Sequence, residues 1–436
     1  MLEKLEQHIA HKFSFLKEKK LLIAISGGVD SVVLTHLLHQ LNFDISLAHC
    51  NFNLRGTESD KDEEFVNELG KKLDITTFSI RFETEKYAKE NQLSTQVAAR
   101  NLRYDWFQEL TNQHLFDFVL TAHHADDNLE TFLINLTRGT GLEGFTGIPE
   151  VNNHIVRPFL IFSRDDIETY AKEKNMNWRE DKSNASSKYL RNKIRHQIVP
   201  ILKEINPTLL ENFQKTSEYL QESQQIIDTS ISEFKKKVVE VLENGTLKID
   251  ISQLQKTNNP KAYVYQLLKE FGFTEWNDVT HLLSAQSGKE VLSKTHRLLK
   301  DRDFLLLSEI KENNKNLEYK ITENTLEITI PLHLTFKKTT EISSENTNEI
   351  FVDLEKVTYP LVLRKWQHGD YFYPKGMQGK KKVSKYFKDE KFSLLEKENT
   401  WLLCTNETVL WIVGYRQDNR FLADKNTATV LKITGC

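Results

Sequence analysis

The chain has 436 residues, 39% of them hydrophobic and 28% charged, with a formal net charge of −3; that length calls for two or three domains, because single cores rarely grow past roughly 250–300 residues. The near-neutral balance excludes a uniformly basic nucleic-acid binder, so any polyanion surface must be local. Cys50, Cys404 and Cys436 are too far apart for a C-x-x-C zinc site or a disulfide framework and suit a reducing, cytoplasmic setting, and no apolar run reaches the roughly 18 residues of a membrane span.

The N-terminal stretch MLEKLEQHIAHKF is amphipathic and lacks the apolar region of a signal peptide. Next comes LLIAI (21–25), which reads as a short buried strand, followed by the turn Ser26-Gly27-Gly28-Val29-Asp30-Ser31 and the apolar helix SVVLTHLLHQL. Gly27 and Gly28 let the backbone approach a ligand closely, and the first turn of the helix offers unpaired N–H groups and a positive dipole end. This is an anion site suited to a phosphate chain. No Lys follows the glycines, so the loop is not the one that grips β- and γ-phosphates through a lysine. A cradle with Asp30 and no Lys suits pyrophosphate plus Mg²⁺, with Asp30 near the metal. The plainer alternative is a strand–helix turn with Gly for geometry and Ser as cap.

Three further strand-like runs follow, ISLAH (45–49), TTFSI (76–80) and FVLTA (118–122), separated by the helical patterns DEEFVNELGKKL and TQVAARNLRYDWFQELTNQ. Alternating strands and helices predict an α/β parallel sheet with ligands beyond the carboxyl ends of its strands. Polar clusters fall at those ends: Ser26–Ser31, His49–Arg55, Arg81–Glu85 and His123–Asp127. The second cluster continues into an Arg55-Gly56 turn and the acids Glu58 and Asp60, which either hold substrate or only cap the next helix. Arg100 and Arg103 lie one helical turn apart, either as a solvated basic face or as cations for developing phosphate charge.

In TAHHADDNLET (121–131), two histidines and two aspartates precede a helix carrying Glu130. They can cap the helix, ligate a metal, or contact a nucleotide and its Mg²⁺. If one ring faces the nucleotide, His123 is the candidate. TRGTGLEGFTGIP (137–149) reads as a flap over the site or as a simple helix end. WREDKSNASSKYLRNKIRHQIVP (178–200) joins Asp181, Ser183 and Asn184 to Lys188, Arg191, Lys193 and Arg195, with Trp178 and Tyr189 interleaved. It suits single-stranded RNA, or equally a solvated amphipathic helix.

Residues 205–245 read as a long amphipathic helix, with shorter helices around 252–271 and 275–285, then β-rich patterns. The polar stretch 308–325 reads as a linker or exposed hairpin. In 350–436, LVLRKW, TWLLC and TVLWIVGY are the strands of a small α+β domain. From Arg364 to Lys388, eight Lys/Arg face one acid, Asp370, among six interleaved aromatic residues. Such a patch favours a phosphate backbone, with Arg364, Lys380, Lys381, Lys382 and Lys385 as candidate contacts.

The motif SGGVDS (26–31) resembles the signature of PP-loop ATP pyrophosphatases, which adenylate an oxygen and release pyrophosphate. SGGVDS together with LRG (54–56), ARNLRY (99–104), AHHADDNLET (122–131), RGTGLEGFTGI (138–148), RPFL (157–160), WREDKSN (178–184) and YLRNKIRH (189–196) resembles the tRNA(Ile)-lysidine synthase family. The tail R-x-x-x-x-G-D-x-F-x-P-x-G-x-x-G-x-K-K-x-S-K, headed by Arg364, resembles that family's C-terminal domain. One loop position departs: Asn53 stands where a second histidine is expected.

The resemblance implies an ATP-dependent ligase acting on an isoleucine tRNA with a CAU anticodon and on free L-lysine. ATP would adenylate the C2 oxygen of the wobble cytidine, and the lysine ε-amine would then displace AMP. It implies an ATP cradle of Ser26, Gly27, Gly28, Val29, Asp30 and Ser31; catalytic Asp30, Arg100, Arg103, His123 and Asp127; Asp30 and Asp127 toward Mg²⁺; and Arg191 and Arg195 among the tRNA contacts. The expected domains are 1–204 (ATP-binding, catalytic), 205–307 (mainly helical, tRNA-binding), 308–349 (linker or hairpin) and 350–436 (basic, tRNA-binding). A homodimer is compatible with all of this, and no membrane partner is expected. A PP-loop tRNA thiolase would need suitably paired cysteines. A metal-dependent hydrolase would not need the SGGVDS cradle, and a non-catalytic RNA-binding protein would leave the strand-end clusters unexplained.

Overall fold

The structure, a computed structural model, describes residues 1–180, 190–310, 318–342, 348–377 and 379–435. The chain divides into two compact units, Met1–Thr229 and Ser230–Cys436.

The first unit opens with helix α1 (Leu2–Lys12) and is built on a six-stranded sheet. Strand β1 (Lys20–Ala24) leads into α2 (Val29–Gln40), β2 (Asp44–Asn51) into α3 (Thr57–Leu73), and β3 (Thr77–Arg81) into α4 (Thr84–Glu90) and α5 (Thr95–His114). Strand β4 (Phe118–Leu120) leads into α6 (Ala125–Arg138) and the short α7 (Leu142–Phe145). The edge hairpin β5 (Val151–Asn152) and β6 (Ile155–Val156) and helix α8 (Arg164–Glu173) follow. The order is β3-β2-β1-β4-β6-β5, parallel except for β5.

Successive residues of β1 face opposite sides of the sheet. Leu21 and Ile23 pack with Val32, Leu37, Val66 and Ile167 on one side, and Leu22 packs with Trp106, Phe107 and Leu110 on the other. Helices cover both faces, so the strand centres are largely apolar, and a ligand site falls at the carboxyl ends.

The helix read over 205–245 is Leu209–Val238, and the division between the units falls within it. It stops where the β-branched Val238-Val239 pair passes into strand Val239–Val241, which turns at Gly245 (φ +81°) and pairs with Leu247–Asp250. These strands belong to a five-stranded antiparallel sheet whose apolar face is covered by helices Ile251–Gln255, Pro260–Leu268 and Trp276–His281. The segment expected to be mainly helical carries these strands beside its helices. Beyond it, a five-stranded and a four-stranded sheet enclose a core centred on the fully buried Trp411.

Candidate active site at the carboxyl edge of the sheet

Ser26 to Ser31 link β1 to α2 in the cradle expected from the sequence. Gly27 has φ +87°, so the backbone calls for glycine, although a Cβ would make only ordinary contact with Phe65 at 3.4 Å. The Ser31 hydroxyl donates to the Gly28 carbonyl at 2.9 Å and accepts the Ser26 N–H at 3.3 Å, closing the turn on itself. The turn is also held from outside. Arg179 donates its N–H to the Gly27 carbonyl (2.9 Å), while its guanidinium bonds Asp62 (2.7 Å) and Glu58 (2.8 Å) of α3. Arg55 reaches the other oxygen of the buried Asp62 at 2.8 Å. The acids of α3 thus do more than cap their helix.

Asp30 lies in the first turn of α2, where a carboxylate complements the dipole. Burial pushes its carboxyl above the usual range, against the pull of His124 and Arg164. Arg164 donates to one oxygen at 2.5 Å, and the other is buried without a hydrogen-bond partner among the described residues. His124 Nε2 lies 3.9 Å from that second oxygen and 3.4 Å from Asp127 Oδ2. Asp30 from α2 and Asp127 from α6 therefore converge on one imidazole. Burial opposes a charge on His124, but Asp127, Asp126 and Asp30 outweigh it and raise its pKa. His123 points elsewhere, Nδ1 to the Thr121 hydroxyl at 2.8 Å, and burial lowers its pKa to about 4. The ring between the two expected metal ligands is His124, which sequence reasoning ranked second.

Four cations balance the four acids around this point. Arg164 meets Asp30, and Lys203 meets Asp126 at 2.6 Å. Arg195 bonds Asp127 at 3.0 Å and Glu130 at 2.6 Å; Arg191 bonds Glu130 at 2.9 Å and Asp127 at 3.3 Å. The Glu130 side chain is 1% exposed, and both its oxygens are bound by guanidinium groups. Burial opposes ionisation of Asp127, but His124, Arg191, His123 and Arg195 hold its carboxyl below the usual range. Arg191 and Arg195, expected on an RNA-facing surface, instead close onto the acids of α6. Asp181, Ser183, Asn184, Lys188 and Tyr189 lie outside the described residues.

Arg100 and Arg103 are exposed on α5, their guanidiniums 4.9 Å from the Tyr104 ring and 5.2 Å from the Phe52 ring. Each guanidinium is thus in cation–π range of a ring. The glycine-rich segment 137–149 is pinned. Asn128 accepts the Ile148 N–H, Asn135 donates to Gly144, and Ser217 and Gln221 donate to the Thr146 carbonyl. Sequence reasoning missed Arg164, although it carried a signal: it follows the cap Ser163 in the first turn of α8, where a helix dipole favours acids.

In the C-terminal part, Lys380, Lys382 and Lys385 are exposed, whereas Lys381 is held by Asp389 at 2.8 Å. Arg364 is 7% exposed and bound through both terminal nitrogens to Asp370 at 2.8 and 2.9 Å, so it braces its own loop. Among the described residues no group of three His, Cys, Asp or Glu side chains could hold a metal unaided, and no helix is long and apolar enough to cross a membrane.

Residues 1–202 match the PP-loop domain model, residues 242–310 the TilS substrate binding domain and residues 361–433 the TilS substrate C-terminal domain. A tRNA(Ile)-lysidine synthase of Parabacteroides distasonis is 40% identical over 427 residues, 96% of either chain. Another from Bacteroides thetaiotaomicron is 38% identical, over 98% of this chain and 97% of its own. One from Bacillus subtilis is 30% identical, over 92% and 91%. The cradle, the paired carboxylates and these full-length similarities agree: the chain belongs to the tRNA(Ile)-lysidine synthase family.

Proposed function

We propose that this protein uses ATP to join free L-lysine to the wobble cytidine of an isoleucine tRNA with a CAU anticodon, in the cytoplasm. The observation that carries the reading is the convergence of Asp30 and Asp127 on His124 beside the Gly27 turn. A carbonyl oxygen is a poor leaving group and AMP a good one, so adenylating C2 splits one difficult substitution into two easier ones.

The cradle residues Ser26 to Ser31 bind the phosphate chain through backbone N–H groups and the start of α2. Mg²⁺ fits the donors present: hard carboxylate oxygens, one of them the buried Asp30 oxygen without a hydrogen bond, and too few protein ligands for a closed cage. Asp30 and Asp127 would hold it, and when bound it would neutralise phosphate charge. Arg100, Arg103 and His123 are assigned to the charge that develops at the α-phosphate. A lysine ε-amine attacks only when neutral, and its pKa of about 10.4 calls for a nearby proton acceptor. Asp127, held below the usual carboxylate range, remains ionised to orient that amine. The tRNA body is assigned to the basic C-terminal segment, with Lys380, Lys382 and Lys385 as its phosphate contacts.

Incubation with α-labelled ATP, lysine and bulk tRNA tests this. Release of labelled AMP that depends on lysine and on one tRNA, with pyrophosphate formed, is expected; AMP release at the same rate without lysine would overturn it. Sulfur transfer is disfavoured by the half-buried Cys50 and the buried Cys404, whose thiols desolvation pushes up to about 12.

A further inference from the structure

The C-terminal segment carries a second kind of chemistry beside its lysines. Strand Tyr371–Phe372 pairs with Lys381–Lys382, and its two rings face opposite ways. Phe372 is wholly buried against Val383, Tyr386 and Phe387, while Tyr371 is 44% exposed. Next to it stands Arg420, its guanidinium 4.5 Å from the Tyr373 ring centroid and 5.8 Å from that of Tyr371. The Lys380 ammonium lies 5.2 Å from the Tyr371 ring.

This cluster is built rather than incidental. Asp418 is 0% exposed and accepts the Arg420 Nε at 3.0 Å, its Nη2 at 2.7 Å, its backbone N–H at 2.8 Å and the Tyr373 N–H at 2.9 Å. A buried carboxylate with four donors holds one guanidinium over one ring. Asp418 and Arg420 cancel in charge, so Lys380 leaves the group net positive. Flat cation, aromatic faces and a spare ammonium at the surface match an unpaired nucleotide, whose base stacks and whose phosphate pairs. A duplex backbone would need the cations alone. Tyr371, Tyr373 and Lys380 occupy positions that the tail pattern leaves open.

We propose that Tyr371, Tyr373 and Arg420 seat an unpaired nucleotide of the RNA substrate, with Lys380 on its phosphate. The inference rests on the RNA-modifying reading above and names a subsite within it.

The test uses the full chain and two RNA hairpins, one blunt and one carrying a short unpaired 3′ extension. The wild type should bind the extended hairpin more tightly, by roughly five- to 150-fold, the range for one stacked base. Tyr371→Ala and Tyr371→Leu should abolish the preference without changing the salt dependence. Tyr371→Phe should keep it, because the ring and not the hydroxyl stacks. Arg420→Lys should reduce it, since an ammonium cannot lie flat on a base. Equal wild-type binding of both hairpins would overturn the inference, as would a Tyr371→Phe variant that behaves like Tyr371→Ala. Lysine-dependent release of AMP on tRNA would stand in either case, so the function and the subsite fail separately.

Discussion

Arg179 donates its backbone N–H to the Gly27 carbonyl, 2.9 Å away, while its side chain holds the buried Asp62. A residue far along the chain therefore fixes the conformation of the phosphate turn. Asp62→Asn removes the charge that both Arg55 and Arg179 use. The KM for ATP should rise roughly tenfold, because one charge-assisted hydrogen bond contributes about 1.5–3 kcal/mol. The Kd for tRNA should not move. A fall in kcat with unchanged KM would show that Asp62 serves the chemical step and not the turn.

Asp30→Ala and Asp127→Asn should each lower kcat by at least about a hundredfold while tRNA binding persists, the scale for losing one preorganised transition-state contact. His124→Ala should cost at least as much as His123→Ala, since His124 Nε2 stands 3.9 Å from Asp30 and 3.4 Å from Asp127. Single-turnover assays separate adenylation from lysine attack. Normal turnover by Asp127→Asn at saturating tRNA would remove Asp127 from the chemistry.

Lys380→Met, Lys382→Met and Lys385→Met should each flatten the log–log salt dependence of tRNA binding by about 0.7–0.9. Lys381→Met should do less, because Asp389 already holds its ammonium at 2.8 Å. The KM for lysine should stay unchanged in all four. Equal slopes for wild type and variants would assign this run to solvated surface.

His8 supplies a test by pH. Burial, then Lys12 and Lys4, lower its pKa from 6.5 to about 4, and its Nε2 is buried without a hydrogen bond. Between those values the unfolded chain holds the proton and the folded chain does not. The group's contribution is therefore complete above pH 6.5 and is lost as pH falls toward 4. His8→Leu should flatten the acid limb of thermal stability by up to about 1.4 kcal/mol per pH unit in that window. Parallel acid limbs in the two proteins would contradict the neutral buried imidazole.

The strand-end clusters were legible because period and position coincide: apolar runs fixed β1 to β4, and polar residues could only follow them. Asp30 and Asp127 came from that logic. The identities of their partners did not. Arg164 and Asp30 lie 134 residues apart and meet only through packing, and no local pattern separates a cation destined for a buried acid from one destined for RNA. The acid partners of Arg191, Arg195 and Arg364 were not foreseen for that reason. The two-residue strands β5 and β6 are too short to show a period, and strand Val239–Val241 was hidden in the tail of an amphipathic helix.

The middle strand of the first sheet is the first one synthesised. Leu21, Leu22 and Ile23 pair on one side with Ile45, Ser46 and Leu47, and on the other with Phe118, Val119 and Leu120. A nascent chain thus carries a strand that is apolar from Leu21 to Ala24, with one naked edge until β4 leaves the ribosome. Unpaired edges of that kind template aggregation. Chains terminated before Phe118 are expected in inclusion bodies, while chains that include β4 and the segments packed around it stay dispersed.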